Sequence, residues 1–171
     1  RIAEAVARVG AFQFPAKLNE VTRAYFAGLG KLRRHPLKKE FAALASGDKG
    51  RGYGAAVKKL SRIPQFNAML RTTCTPTVIE AGFNNNAIPG KAKANVNCRI
   101  LPNENPRDIV AQLRKVIADP KVILTPGAVD KPAMSPFGDP FFEAITSGLK
   151  EMVPQAVTVP YMSIGATDSR K

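Results

Sequence analysis

The sequence predicts an α+β fold in which a small antiparallel sheet is covered by helices on one face only. Lys91, Lys93, Asn95, Asn97 and Arg99 alternate with Ala92, Ala94, Val96, Cys98 and Ile100, so one face of this segment is polar and the other apolar. That two-residue period marks a strand half-buried on a sheet. Residues 71–79 are rich in β-branched side chains and read as a partner strand, joined to the first by the turn-forming run 84–90. Segments with apolar residues at helical spacing lie on both sides of the pair.

In chain order, residues 1–63 read as helical. Ile2, Ala5, Val6 and Val9 form a first stripe, ended by Phe14 and Pro15. Leu18, Val21, Tyr25, Phe26 and Leu29 form a second, which stops near Gly28 and Gly30. Pro36 opens a third helix through Leu37, Phe41 and Leu44, closed near Gly47. A flexible connection follows over 46–52, and Val57 and Leu60 mark one more short helix before Pro64. Within the strand at 71–79, Pro76 cannot donate to a ladder, which places it at an edge or a bulge.

Beyond the strand pair, Asn105 is a helix cap, Pro106 suits the first helical position and Asp108 adds negative charge to the first turn. Ile109, Val110, Leu113, Val116 and Ile117 make one apolar stripe that Asp119 and Pro120 end. Val122, Ile123 and Leu124 read as a short strand. The order helix, strand, strand, helix, strand is a ferredoxin-like βαββαβ plait lacking its first strand. The Pro- and Gly-bearing link 126–136 divides the chain into expected domains 1–126 and 127–171. In the second, Asp139 and Pro140 open a helix with Phe141, Phe142, Ile145, Leu149 and Met152 expected inward. A buried strand is expected at 157–161, as in part of an α/β domain. Both ends of the chain read as lying inside a longer protein, which leaves localisation open.

The chain has 171 residues, of which 44% are hydrophobic and 23% charged, an ordinary core-forming composition. No apolar run approaches the roughly 20 residues a membrane-spanning helix needs, so no membrane partner is expected. The net charge of +13 is uneven: between Lys17 and Arg71 there are 13 basic residues against Glu20, Glu40 and Asp48. Such a region favours acidic partners, or is a solvated helical surface balanced elsewhere. Two cysteines, Cys74 and Cys98, exclude a disulfide-dense scaffold and form no CxxC metal motif. With the connection centred near Asn86 they lie opposite each other, so a cross-strand disulfide depends on register, and two reduced thiols are the alternative.

Little in the chain can hydrolyse anything unaided. His35 is the one histidine, in a basic helix-start run. No clustered zinc-ligand set, nucleophile elbow or phosphate-cradling loop is present. What remains is Arg99 and Asn86, which taken alone read first as a surface or salt-bridge residue and a turn residue, with binding as the alternative. Arg99, on the open face of a rigid strand, offers a planar fork suited to a carboxylate, and Asn86 in the hairpin connection adds an amide.

Three stretches, 70–77 (Leu-Arg-Thr-Thr-Cys-Thr-Pro-Thr), 86–89 (Asn-Ala-Ile-Pro) and 95–102 (Asn-Val-Asn-Cys-Arg-Ile-Leu-Pro), resemble the zinc-dependent aminoacylase/carboxypeptidase-like metallopeptidases. Residues 165–169 resemble a loop near the end of that family's catalytic domain. The resemblance implies a catalytic domain with two zinc ions, interrupted by a plait-shaped lid that often dimerises and closes over the substrate. It makes 1–126 the lid and 127–171 a piece of the catalytic domain. It places Asn86 and Arg99 on the substrate, with Arg99 on a C-terminal carboxylate, and Thr167 and Asp168 beside the site. The family's metal ligands and general base have no counterpart here, so the chain alone is expected to be inactive and to bind no zinc. The parent would be a homodimeric hydrolase of peptides or N-acyl amino acids. An alternative is a non-catalytic basic module for nucleic acid or another acidic partner. Against it, the open strand face lacks the aromatic side chains that stack bases.

Overall fold

A computed structural model of the protein describes residues 1–47, 50–127, 135 and 138–165. Among them are seven helices and one two-stranded antiparallel sheet, so the fold is α+β as expected. The chain forms two compact units, Arg1–Pro15 with Thr72–Pro132 and Ala16–Arg71 with Ala133–Lys171. Among the described residues the chain passes from one unit to the other at 15/16 and at 71/72. Residues 16–71 build a core of their own and leave the first unit discontinuous in sequence.

The first unit consists of α1 (Ile2–Ala11), β1 (Thr73–Ala81), β2 (Ala92–Arg99) and α6 (Pro106–Ile117). α6 begins as its sequence dictates, with the Asn105 side chain accepting from the Arg107 N–H and Pro106 in the first turn. It ends at Ala118, which takes a left-handed conformation (φ 50°). Ala5, Val9, Phe14, Ile109, Leu113 and Ile117 form the core, and the apolar row Val96, Cys98 and Ile100 of the β2 segment packs on them. The Arg8 guanidinium donates to the Ile117 carbonyl, placing a cation at the negative end of α6. Arg1 donates to both carboxylate oxygens of Asp119 at 3.1 Å. The Lys121 backbone N–H, followed by the Arg1 charge, holds the Asp119 carboxyl below its ordinary range.

In the sheet, Thr73 pairs with Arg99, Cys74 with Cys98 and Thr75 with Asn97, and a register shift falls between Pro76 and Val78. Pro76 thus sits at a bulge, where its missing N–H costs no ladder bond. The strand expected at residues 122–124 does not form. Val122 and Leu124 turn toward the core and Ile123 is 87% exposed, so the alternation is real, but no neighbouring strand takes up its backbone. Burial periodicity alone does not make a ladder.

The second unit contains α2 (Glu20–Gly30), α3 (Lys38–Ala45), α4 (Tyr53–Leu60), α5 (Pro64–Leu70) and α7 (Pro140–Met152). Asn19 caps α2, accepting from the Thr22 N–H at 2.8 Å while the Thr22 hydroxyl accepts from the Asn19 N–H at 3.0 Å. Phe26, Phe41, Leu44, Ala56, Leu60, Met69 and Leu70 are buried together, with Phe66 against both Phe26 and Phe41. α5 escapes the sequence reading because Pro64 looks like a terminator, whereas here it occupies the first turn of a new helix. α2 runs through Gly28, where a methyl group would lie 2.1 Å from Val159 Cγ1. That glycine serves close approach rather than helix termination.

Two expectations for the last segment fail. α7 forms with its Asp139 cap, but it buries no residue, and Phe141 and Met152 are 74% and 80% exposed. Residues 157–161 form no strand, and Val157 and Tyr161 are exposed. An apolar stripe forms a helix locally but is buried only when something packs on it.

Cys74 and Cys98 are joined as a disulfide across directly opposed strand positions, Cα atoms 4.1 Å apart, which corrects the reduced-thiol alternative. The bridge closes a loop across a sequence separation of 24. Loop-closure entropy then predicts that the Cys74→Ser/Cys98→Ser protein, or the reduced one, unfolds with about 3 kcal/mol less stability. Denaturant unfolding with and without a dithiol measures this, beside intact mass after alkylation. Equal midpoints, or two alkylated thiols in the unreduced protein, would refute the bridge.

Candidate functional site

The polar face of the hairpin is the candidate site. Burying Val96, Cys98 and Ile100 against the helices obliges Asn95, Asn97 and Arg99 to face outward, since strand side chains alternate. These three are exposed, with Thr73 and Thr75 opposite Arg99 and Asn97 on β1. Asn95 donates to the Thr77 hydroxyl at 2.8 Å beside the bulge. Among the described residues Arg99 is exposed and has no hydrogen bond or ion pair with a side chain, which leaves its fork open.

The backbone under Arg99 is braced from two sides. Cys98 is covalently tied to Cys74. Two residues past Arg99, the buried Leu101 N–H donates to the Thr72 hydroxyl at 3.0 Å, and that hydroxyl donates to the Glu104 carboxylate. Thr72 is 1% exposed. Neither brace has a short-range sequence signal, because each joins residues more than 20 positions apart.

Asn86 is not near Arg99. It lies in the fully exposed connection between the strands, beside Phe83 and Ile88, each 96% exposed. From Arg99 to Ala92 alone, seven residues of strand at about 3.3 Å each span roughly 23 Å. Within one copy of the hairpin the two side chains therefore mark opposite ends. Thr167 and Asp168 lie outside the described residues.

The metal-ligand question has a plain outcome. Among the described residues no group of three or more His, Cys, Asp or Glu is placed to hold a metal ion. Both cysteines are spent in the disulfide. His35 is half-buried at the start of α3, where its Nδ1 accepts from the Leu37 N–H at 3.1 Å and its ring lies 4.9 Å from Phe41. It is a local turn residue. The described residues do not fit a zinc centre. A cavity of about 490 Å³ beside the end of α6 is lined by Ile117, Val122 and Leu124 together with Arg114 and Asp119, the latter bonded to Arg1.

Residues 27–124 match the family described as the peptidase dimerisation domain. The human N-fatty-acyl-amino acid synthase/hydrolase is 33% identical over 117 residues, covering 65% of this chain and 23% of that protein. The probable carboxypeptidase S-like 2 of Dictyostelium discoideum is 30% identical over 113 residues, 65% of this chain and 22% of its own length. The mouse N-fatty-acyl-amino acid synthase/hydrolase is 30% identical over 115 residues, with 65% and 23% covered. The chain thus spans less than a quarter of the length of these relatives. No solved structure matches it.

Thr72→Val keeps the shape of that side chain but leaves the buried Leu101 N–H without its acceptor. A loss of about 1–3 kcal/mol in unfolding free energy is expected, with Thr72→Ser close to wild type. Faster amide exchange at 98–101 in the valine variant should accompany it. Equal stability of the two variants would show that the hydroxyl braces nothing.

Proposed function

The chain belongs to the M-twenty peptidase family through its dimerisation domain, and from that premise we propose that it is the substrate-clamping lid of a homodimeric amide-bond hydrolase. The expected substrates of the intact parent are peptides or N-acyl amino acids, and the names of its relatives favour a fatty acyl chain. In this reading 1–126 contains the lid, which completes a plait-shaped sheet in the parent, and 127–171 contributes to the catalytic domain. The two zinc ions implied by the resemblance would be held by residues outside this sequence.

The observation that carries the reading is the open Arg99 guanidinium on a braced, one-sided sheet. Peptides and N-acyl amino acids share one feature remote from the scissile amide, a carboxylate. A planar cation on a rigid strand can grip both carboxylate oxygens and orient the amide for attack elsewhere. Such a contact also favours lid closure, because its energy is realised only when lid and substrate meet. Asn86, at the far end of the hairpin, serves a second contact point along the substrate or in the assembled dimer. Thr167 and Asp168 are assigned to the border of the site on the resemblance alone. The unburied apolar face of α7 and the edges of β1 and β2 left unpaired among the described residues are surfaces that the rest of the parent and a second copy would cover.

In the intact parent, Arg99→Ala is expected to lower kcat/KM by about ten- to a hundredfold on an N-acyl amino acid, mainly through KM, the loss of one charged hydrogen-bonding partner. Arg99→Lys should recover part of it. The decisive control is the same substrate with its carboxylate converted to a primary amide. That compound should be cleaved equally poorly by wild type and variant. If Arg99→Ala slows both compounds alike, or neither, Arg99 does not hold the carboxylate.

A further inference from the structure

The helical unit carries a feature that lid closure does not use. α2 and α3 pack together with Gly30, at the end of α2, against Ala42 and with Gly47, past α3, against Arg23, so they run in opposite directions. So do α3 and α4, where Gly52 lies against Ala43 and Lys59 is bonded to Glu40. The end of α2, the start of α3 and the end of α4 therefore meet at one end of the bundle. Gly47, beyond the far end of α3, lies against Arg23 in the first half of α2, which fixes the opposite end.

Basic residues gather at the first of these ends. The connection leaving α2 carries Lys31, Arg33 and Arg34, and α3 starts with Lys38 and Lys39. α4 finishes with Lys58 and Lys59, and Arg62 follows. All eight are exposed. Among the described residues of 16–71 the carboxylates are Glu20, at the start of α2 and so at the other end, and Glu40. Glu40 is already bonded to Lys59, which, ahead of its backbone contacts, holds its carboxyl below the ordinary range. The remaining cations repel one another, and a helical end needs none of them for its core, which is aromatic and aliphatic.

We propose that this end of the helical unit docks on an anionic lipid–water interface. Positive charge concentrated on one end, rather than spread along a groove, suits a flat surface of acidic headgroups, where each Lys or Arg within a Debye length adds attraction. Single-stranded nucleic acid is disfavoured because no exposed aromatic ring stands among these cations to stack bases: Phe41 is buried, and Tyr53 and Phe66 are half-buried against the core. The choice of a lipid surface rests on the proposed fatty-acyl substrates, which are amphiphiles that partition into such an interface. Docking there would bring the lid to where they are concentrated. No helix among the described residues is long and apolar enough to cross a membrane, so the contact is peripheral.

The test is flotation of the protein with vesicles of phosphatidylcholine alone or mixed with phosphatidylglycerol, at low and high salt. Binding to the mixed vesicles, lost at high salt and absent from neutral ones, is expected. Arg33→Glu/Arg34→Glu/Lys38→Glu should weaken partitioning by about tenfold or more. The same charge change toward the opposite end, Lys17→Glu/Arg23→Glu/Arg51→Glu, should weaken it by clearly less. A neutralising set, Arg33→Gln/Arg34→Gln/Lys38→Gln, gives an intermediate loss and guards against misfolding, with far-UV circular dichroism as a check. Equal binding to neutral vesicles, equal losses in both reversed variants, or displacement from vesicles by a stoichiometric single-stranded oligonucleotide would overturn the proposal. Hydrolysis is scored separately in the intact parent. Failure to cleave any N-acyl amino acid removes the functional reading but leaves the vesicle result standing, and the reverse holds for a parent that cleaves without docking.

Discussion

The packing of one strand row, Val96, Cys98 and Ile100, onto α1 and α6 governs the rest of the first unit. Because strand side chains alternate, burying this row leaves Asn95, Asn97 and Arg99 no direction but outward. A slip of one residue would exchange the two sets, sending a guanidinium into an apolar core and exposing the core row. The register is consequently worth several side chains at once. It is held by more than apolar contact. The Cys74–Cys98 bridge fixes one opposed pair covalently, and the Thr72 hydroxyl fixes the chain just past Arg99. The bulge at Pro76 lies beyond both, so the half of the hairpin nearest the tip tolerates an irregularity that the half under Arg99 does not.

The two units divide the physical work. The first has a two-layer core, helices on one side of a sheet, and presents on the other side a polar row that runs from Lys91 to Arg99. The second has an all-helical core centred on stacked phenylalanines, with Phe26 and Phe41 rings 5.8 Å apart, and carries most of the excess charge. Binding a small carboxylate calls for one well-oriented fork on stiff backbone, whereas adhesion to a charged surface calls for many loosely oriented cations. The chain contains one of each. Neither unit contains a clustered metal-ligand set among the described residues.

Much of the fold was legible because its signals are local. Asn105 with Pro106, and Asp139 with Pro140, announce helix starts within one turn, and both caps form. The alternation from Lys91 to Ile100 gives the strand and its open face, and Pro76 in β1 gives the bulge. The outward orientation of Arg99 was legible for the same reason, since it follows from the period of its own strand. Where the reading failed, the missing information was non-local. Val122 and Leu124 alternate correctly yet join no ladder among the described residues, and the stripe from Phe141 to Met152 forms a helix in which no residue is fully buried. Pro64 opens α5 shortly after α4 ends, and its neighbours alone do not tell a stop from a start.

By itself the amino-acid sequence determined every described helix but α5, the paired strands and which face of the hairpin would be polar, because caps, prolines and residue periods act within a few positions of chain. The tertiary structure alone decided that residues 16–71 form a separate unit, that Cys74 meets Cys98, that Thr72 braces the end of β2, and that basic residues from three segments share one end of a bundle. Each of these depends on which distant segments approach one another. That approach is set by the competition among all apolar surfaces for a common core, which no short window of sequence contains.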